Sequence, residues 1–259
     1  MRPASRGGQG GVRPPRAEDE LRLFGLNACK AAFAARPQDL RKLWLLGSRM
    51  GELRELLAWC VAQRRGYTVV EEDDLDRLAG TRHHEGVVMA VRRRPEATLA
   101  AFLAGLPAGP CQLLWLDGVG NPHNFGAILR SAAHFGAPAV LLPKDSPLTL
   151  SGAAARVAEG GAEAVGLVRL GTADEAVPLL RAQGFQLFAT VVRGGEDLYR
   201  AALPERCVWV LGAEGEGLDP VLAAACEARV GIPGSGRVES LNVASATAVF
   251  LAEWQRRRR

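Results

Sequence analysis

Along most of the chain, compact apolar runs of four to six residues alternate with stretches that are apolar at every third or fourth position. The first spacing suits strands and the second amphipathic helices. The pattern predicts a helix over Leu26–Ala35 and a strand over Arg41–Leu46, centred on Leu43, Trp44 and Leu45. A helix follows over Glu52–Gln63, where Leu53, Leu56, Leu57, Cys60 and Val61 share a face. Strand Tyr67–Val70, a short helix Asp73–Leu78 and strand Val87–Val91 complete this part. After a break the alternation resumes: strand Cys111–Leu116, helix Asn124–Phe135, strand Ala139–Leu142, a helix near Ala153–Ala158 and strand Val165–Leu170. Helix Asp174–Gln183 and strands Gln186–Val191, Cys207–Leu211 and Arg229–Ile232 lead to a long helix, Asn242–Gln255. Strands alternating with helices make this an α/β chain with a largely parallel sheet covered on both faces.

The break divides the chain. Residues 95–110 combine Ala, Gly and Leu with three prolines and read as a linker, with room for a short helix over Leu99–Leu103. Residues 20–94 then form a small α/β domain and residues 111–259 a larger one. Residues 1–19 are rich in Arg, Gly and Pro and read as a flexible basic arm. The arm has no apolar core of the kind a secretory signal needs, and no run approaches the roughly 18 apolar residues of a membrane span.

Composition adds less. The five cysteines, Cys29, Cys60, Cys111, Cys207 and Cys226, are widely spaced and form no C-x-x-C pair. They read as reduced core residues, which places the protein in the cytoplasm. Residues 1–95 hold 18 Lys/Arg against 12 Asp/Glu (+6) and residues 96–259 hold 14 against 16 (−2), giving the net +4. The N-terminal part and the terminal run of four arginines are therefore the basic regions, an asymmetry that suits a phosphate backbone. As 29 of the 32 basic residues are Arg, coding bias is a competing explanation. His83 and His84 are adjacent, and His123 and His134 lack Cys or carboxylate companions at ligand spacing, so none is read as a metal ligand.

Three segments carry candidate chemistry. In the first, Asn121–Arg130 follows a strand and opens a helix; Pro122 suits a first turn, and Asn124 suits a cap or a bond to a neighbouring loop. The preceding Asp117-Gly118-Val119-Gly120 lacks the third glycine of a dinucleotide-binding loop, which excludes that reading. Arg130, taken alone, is an ordinary surface arginine. The second segment, Leu211–Leu218, ends a strand in a loop where Gly212, Gly215 and Gly217 let a ligand approach the main chain and Glu214 and Glu216 supply carboxylates. The third runs from Ile232-Pro233 through a polar loop to Ser240-Leu241-Asn242-Val243, where Ser240 or Asn242 suits a helix cap.

In this combination and order the segments resemble the SpoU (TrmH) group of RNA ribose methyltransferases in the SPOUT superfamily. N-x-G-A-x-x-R matches Asn124, Gly126, Ala127 and Arg130; G-x-E-x-x-G matches Gly212, Glu214 and Gly217; I-P…S-L-N-V matches Ile232, Pro233 and Ser240–Val243. Phe24–Ala28 and His84–Val87 resemble the family's substrate-binding domain, which is similar to ribosomal protein L30e. Asn121 stands where Asp is common, Glu85 where Gln is common, and Gly160-Gly161-Ala162 lacks the usual Ser.

The resemblance implies a SPOUT parallel sheet with a C-terminal trefoil knot, preceded by a small L30e-like domain. It implies a homodimer that binds structured RNA (tRNA or rRNA), takes S-adenosyl-L-methionine as cofactor and needs no metal or membrane. The cofactor cradle would be Thr190, Leu211, Gly212, Gly215, Ile232, Pro233, Leu241 and Asn242. The catalytic set would be Arg130, Asn124, Glu214, Ser240 and Asn242, with methyl transfer to a ribose 2′-hydroxyl. The competing expectation is a non-catalytic RNA-binding homodimer that keeps the scaffold.

Overall fold

The computed structural model describes residues 19–213, 215 and 217–258. The basic arm (bar residue 19), Glu214, Glu216 and Arg259 therefore lie outside the described residues. The first unit runs β1 (Glu20–Phe24), α1 (Leu26–Ala35), β2 (Leu40–Leu45), α2 (Arg54–Ala62), β3 (Gly66–Val69), α3 (Glu72–Ala79) and β4 (Val87–Arg92). Its four-stranded sheet has the order β1-β4-β2-β3, with only β2 and β3 parallel. Helices α1 and α2 bury Cys29, Ala32, Leu56, Leu57 and Cys60 against one face, while Leu75 of α3 packs with Phe24 and Val88 on the other.

The second unit runs β5 (Ala97–Thr98), α4 (Leu99–Ala104), β6 (Cys111–Leu116), α5 (Pro122–His134), β7 (Ala139–Leu142), α6 (Gly152–Val157) and α7 (Gly161–Ala164). It continues with β8 (Gly166–Arg169), α8 (Ala173–Ala182), β9 (Gln186–Thr190), β10 (Glu196–Asp197), β11 (Arg206–Leu211), α9 (Pro220–Ala225), β12 (Ala228–Gly231) and α10 (Val243–Arg256). The eight strands are all parallel, in the order β10-β12-β9-β11-β6-β7-β8-β5. Helices α5, α6 and α10 cover one face and α4, α8 and α9 the other, so β6 and β7 are buried along their whole length. From β6 the chain first moves outward through β7 and β8, then crosses back to β9, and β11 slots in beside β6. Such a reversal leaves a crevice at the carboxyl ends of the strands.

A buried glutamine pins this arrangement. Gln112 of β6 accepts a bond from the Trp209 indole of β11 at 3.3 Å and donates to the carbonyls of Phe135 (3.1 Å) and Leu251 (3.4 Å). One side chain thus ties the central strands to the end of α5 and to the body of α10.

The two units pack closely. A Cβ at Gly152 would strike the Arg22 carbonyl and lie 2.6 Å from the Phe24 ring, so α6 sits on β1 with no room for a side chain. Arg36, 3% exposed, donates Nε and Nη2 to Glu163 of α7 at 2.9 Å each, and its Nη1 donates to Asp39 at 3.4 Å. Arg94 pairs with Glu163 at 3.0 Å and Arg156 of α6 with Glu85 at 3.0 Å. Glu85 also accepts from the Leu26 amide at the start of α1, at 2.9 Å.

Three sequence expectations change. The segment read as a linker contributes β5 to the edge of the large sheet, and α4 buries Leu99 and Leu103 in its core. Strand β1 was not anticipated, although Leu21 and Leu23 alternate with Glu20 and Arg22 in the strand period. Of the C-terminal arginines, Arg256 is exposed and pairs with Glu253, whereas Arg257 and Arg258 are not part of an open basic patch. Arg257 donates to the carbonyls of Leu198 and Ala201, and Arg258 donates to that of Pro204 while stacking 3.7 Å over the Trp254 ring. These guanidiniums are engaged with carbonyl oxygens of the loop after β10 instead of facing solvent.

Candidate active site

The carboxyl ends of β9, β11 and β12 open into a cleft of about 590 Å³. Its walls are built largely from the second and third sequence segments: Leu211, Gly212, Gly215 and Gly217 on one side, and Ser240, Leu241, Asn242 and Val243 on the other. Thr190 ends β9 at the cleft and donates its hydroxyl to the Val210 carbonyl at 3.0 Å, leaving a stretch of wall without an unpaired hydroxyl hydrogen.

The loop after β11 is held in a tight turn. Ala213 and Gly217 exchange reciprocal backbone bonds of 3.0 Å, and Gly215 and Gly217 adopt φ of +89° and +80°. Gly212 is required for a different reason. A Cβ there would collide with the Gly217 carbonyl and lie 2.6 Å from the Leu218 nitrogen. The loop after β6 lies against this turn: the Asp117 amide donates to the Leu211 carbonyl at 2.8 Å, and the Asp117 carboxylate accepts from the Asp219 amide at 3.0 Å.

Asn242 joins the first segment to the third. It caps α10, its Oδ1 accepting from the amides of Ala244 (2.9 Å) and Ser245 (3.4 Å). Its Nδ2 donates to Oδ1 of Asn124 in the first turn of α5, at 3.0 Å. Helix α5 is itself capped by Asn121, which accepts from the His123 amide at 2.8 Å, with Pro122 at its first position. A smaller cavity of about 270 Å³, lined by Gly118–Asn121, Asn124, Ala213 and Val243, shares Ala213 and Val243 with the main cleft.

The other expected site residues fall unevenly. Ile232 lines the cleft but Pro233, exposed one position further on, does not. Glu214 lies outside the described residues. Arg130 is exposed on α5, lines neither cavity, and makes no ion pair among the described residues. Six residues separate it from Asn124, about 9 Å along the helix and on a different side. Around it α5 is closely packed: Gly126 abuts α6, where a Cβ would lie 2.7 Å from that of Val157, and one at Gly161 of α7 would lie 3.0 Å from the Arg130 Cα.

Sequence reasoning missed Arg193, Glu239 and Phe250. Arg193 follows β9, Glu239 belongs to the third segment, and they pair at 3.4 Å across the cleft mouth. Loop spacing gave no signal for that pair. Phe250 follows Val243 by seven residues on the buried face of α10 and was legible by helical period.

Comparison with known proteins agrees with this geometry. Residues 112–252, which contain every strand and loop framing the cleft, match the SpoU rRNA methylase family. The chain belongs to that family. Residues 22–97 match the RNA 2′-O ribose methyltransferase substrate-binding family. Among its relatives, the chain is 40% identical to the Escherichia coli O157:H7 protein YfiF, called an uncharacterized tRNA/rRNA methyltransferase, over 95% of this chain and 70% of that one. It is 35% identical to the 23S rRNA (guanosine-2′-O-)-methyltransferase RlmB of Shewanella oneidensis, over 92% of this chain and 97% of that one. The AdoMet-bound rRNA methyltransferase of Sinorhizobium meliloti superposes with a TM-score of 0.77 at 26% identity, covering 93% of this chain and 88% of that one. This SpoU chain thus shares with that group both the parallel sheet and the separate N-terminal substrate-binding domain.

Proposed function

We propose that this protein is an S-adenosyl-L-methionine-dependent methyltransferase acting on a ribose 2′-hydroxyl of tRNA or rRNA. The observation that carries the reading is the Asn124–Asn242 bond, which closes the first segment onto the cleft framed by the other two. Family membership supplies the reaction class.

The cleft fits the cofactor by size and chemistry. Its volume falls within the roughly 300–1,000 Å³ typical of small-molecule sites. Leu211, Ile232, Leu241, Val243 and Phe250 offer apolar walls for an adenine, and the backbone of Gly212, Gly215 and residues 239–242 offers donors and acceptors beside them. Thr190 and Gly215 complete the cradle in this reading, with Pro233 shaping the loop from outside. Bound there, S-adenosylmethionine supplies a methyl carbon made electrophilic by the sulfonium.

The chain's own groups would prepare the nucleophile. A ribose hydroxyl must shed or share its proton as it attacks. The delocalised charge of a guanidinium makes it a poor base, so Arg130 serves as a cation that holds the target phosphate and stabilises the developing alkoxide. Asn124, Ser240 and Asn242 orient loop and ribose by hydrogen bonds, and Glu214 takes the same role from the second segment. As Arg130 lies outside its own chain's cleft, the homodimer implied by the family gives it a place, reaching the cleft of a second copy. The C-terminal trefoil knot belongs to the same reading. The five free cysteines, four of them buried, agree with a reducing cytoplasm.

Transfer of tritium from labelled S-adenosylmethionine to bulk cellular RNA, taken from a strain lacking the gene, tests the proposal. Wild type should yield labelled 2′-O-methylnucleoside and Arg130→Ala should not. Since several relatives are named for 23S rRNA guanosine, rRNA is the first fraction to assay. Cofactor binding without transfer to any RNA would favour the non-catalytic reading.

A further inference from the structure

The N-terminal unit is electrically polarised along its parallel strand pair. At the amino ends of β2 and β3 lie Arg41, Lys42, Arg64 and Arg65, brought together because Lys42 sits opposite Gly66 in the register. A bulge in β2 makes Arg41 an extra residue between Leu40 and Lys42 against β4, so two consecutive cations are both exposed where strand alternation would have buried one. Arg64 holds the left-handed conformation, φ +53°, at the turn into β3. The Lys42 ammonium lies 4.9 Å from the centre of the Trp44 ring, whose π face holds the cation in place on the exposed side of β2.

Among the described residues these four cations make no ion pair. The acids at this end are committed elsewhere: Asp39 is buried against Arg36 and Arg92, and Glu20 lies on the far strand β1. The unit's acidic run, Glu71–Asp74, follows the opposite end of β3, roughly 13 Å away along a four-residue strand. A cluster of mutually repelling cations with no acidic partner costs folding stability.

The cluster also leads somewhere. Arg92 ends β4 beside it and pairs with Asp39, which meets Arg36; Arg36 and Arg94 both grip Glu163 of α7. Two residues before Glu163, Gly161 packs on the backbone of Arg130. The four cations thus stand beside a chain of ion pairs, Arg92–Asp39–Arg36–Glu163–Arg94, that runs from the small sheet to the element packed on the helix bearing Arg130.

We propose that the amino-terminal ends of β2 and β3 form a phosphate-binding surface that docks the RNA substrate remote from the reacting nucleotide, through Arg41, Lys42, Arg64 and Arg65. The inference rests on the RNA methyltransferase reading and assigns its substrate a second place of contact. Recognition there is of backbone phosphates and not of bases, because point cations on an exposed strand edge carry no sequence code.

The test compares full-length wild type with the fourfold variant Arg41→Gln/Lys42→Gln/Arg64→Gln/Arg65→Gln. The control is a fourfold Gln variant of Arg54, Arg77, Arg82 and Arg200, exposed but away from the cluster. Binding of deproteinised ribosomal RNA is measured over a salt series, and S-adenosylmethionine binding by calorimetry. The cluster variant should bind RNA about 10- to 100-fold more weakly, and its log–log salt slope should fall by roughly 3, with the control variant and cofactor binding close to wild type. RNA binding by the cluster variant equal to wild type, or matched by an equal loss in the control, overturns the proposal. Failure of wild type to bind this RNA does so too. If wild type binds RNA through the cluster but no cofactor, the surface stands and the methyltransferase reading falls. Should the fourfold variant misfold, the two pairwise variants each carry the test, with about half the slope change.

Discussion

Asn242 bonds through both ends of its amide: Oδ1 caps α10 while Nδ2 reaches Asn124 at 3.0 Å, locking helices α5 and α10 at the rim of the cleft. Two residues 118 positions apart thus share one geometry, and a change at either is expected to move both helix starts.

The two functions of Asn242 can be separated. Asn242→Ala removes cap and cross-link and should cost roughly 1–2 kcal/mol by chemical denaturation. Asn242→Asp keeps an acceptor for the cap but places a carboxylate against Asn124 Oδ1. It should keep most of the stability and lose methyl transfer by tenfold or more. Equal activity in Asn242→Asp and wild type would show that the cross-link has no part in the reaction.

Gly212→Ala should abolish cofactor binding by calorimetry, because its methyl group would collide with the backbone of Gly217 and Leu218 and force the cleft loop open. Gly126→Ala instead presses on α6, 2.5 Å from the Ala154 carbonyl, and should cost about 1–3 kcal/mol of stability. A Gly212→Ala protein with wild-type cofactor affinity would remove that loop from the site.

Arg36 joins the two units where water is excluded, and its neighbours Glu163 and Asp39 hold its guanidinium pKa above the ordinary value against the opposing effect of burial. Arg36→Ala would leave the Glu163 carboxylate, 8% exposed, with Arg94 as its one ion-pair partner among the described residues. The expected loss is about 3–5 kcal/mol, seen in a urea melt, with earlier protease cleavage between the units. Cleavage and stability unchanged from wild type would show the units held by apolar packing alone.

Glu253 supplies a pH dependence. Hydrogen bonds from Arg256 and Arg257 outweigh its burial and lower its pKa to about 2, from 4.5. A carboxylate depressed in the folded state contributes stability above the unfolded value of 4.5, and that contribution drains away as pH falls towards 2. Wild type should therefore lose stability relative to Glu253→Gln between those values, the variant already lacking it at neutral pH by about 1–2 kcal/mol. Parallel melting curves for the two proteins across that range would contradict it.

Local pattern determined much of this protein. Helix α1 and strands β6 and β7 fall on the residues the apolar spacing marks, because each buries one face or both in a core and so must carry the period of its own geometry. Pro122 in the first turn of α5 and the glycines after β11 were legible for the same reason, since a first turn or a positive φ is a local demand, although the cap falls on Asn121 and leaves Asn124, the expected cap, to bond Asn242. Tertiary structure decided the rest. Strand β5 is two residues long and exists only because β8 offers it a partner; β10 likewise depends on β12. The arginines at the C-terminus read as a patch for phosphate, and Arg257 and Arg258 serve carbonyls of a distant loop. No spacing rule pairs Arg193 with Glu239, joins Asn124 to Asn242, or turns Arg130 away from its own cleft. Those relationships depend on which strand lies beside which, and strand order follows from burying both faces of one sheet, a property of the whole chain and of no single segment.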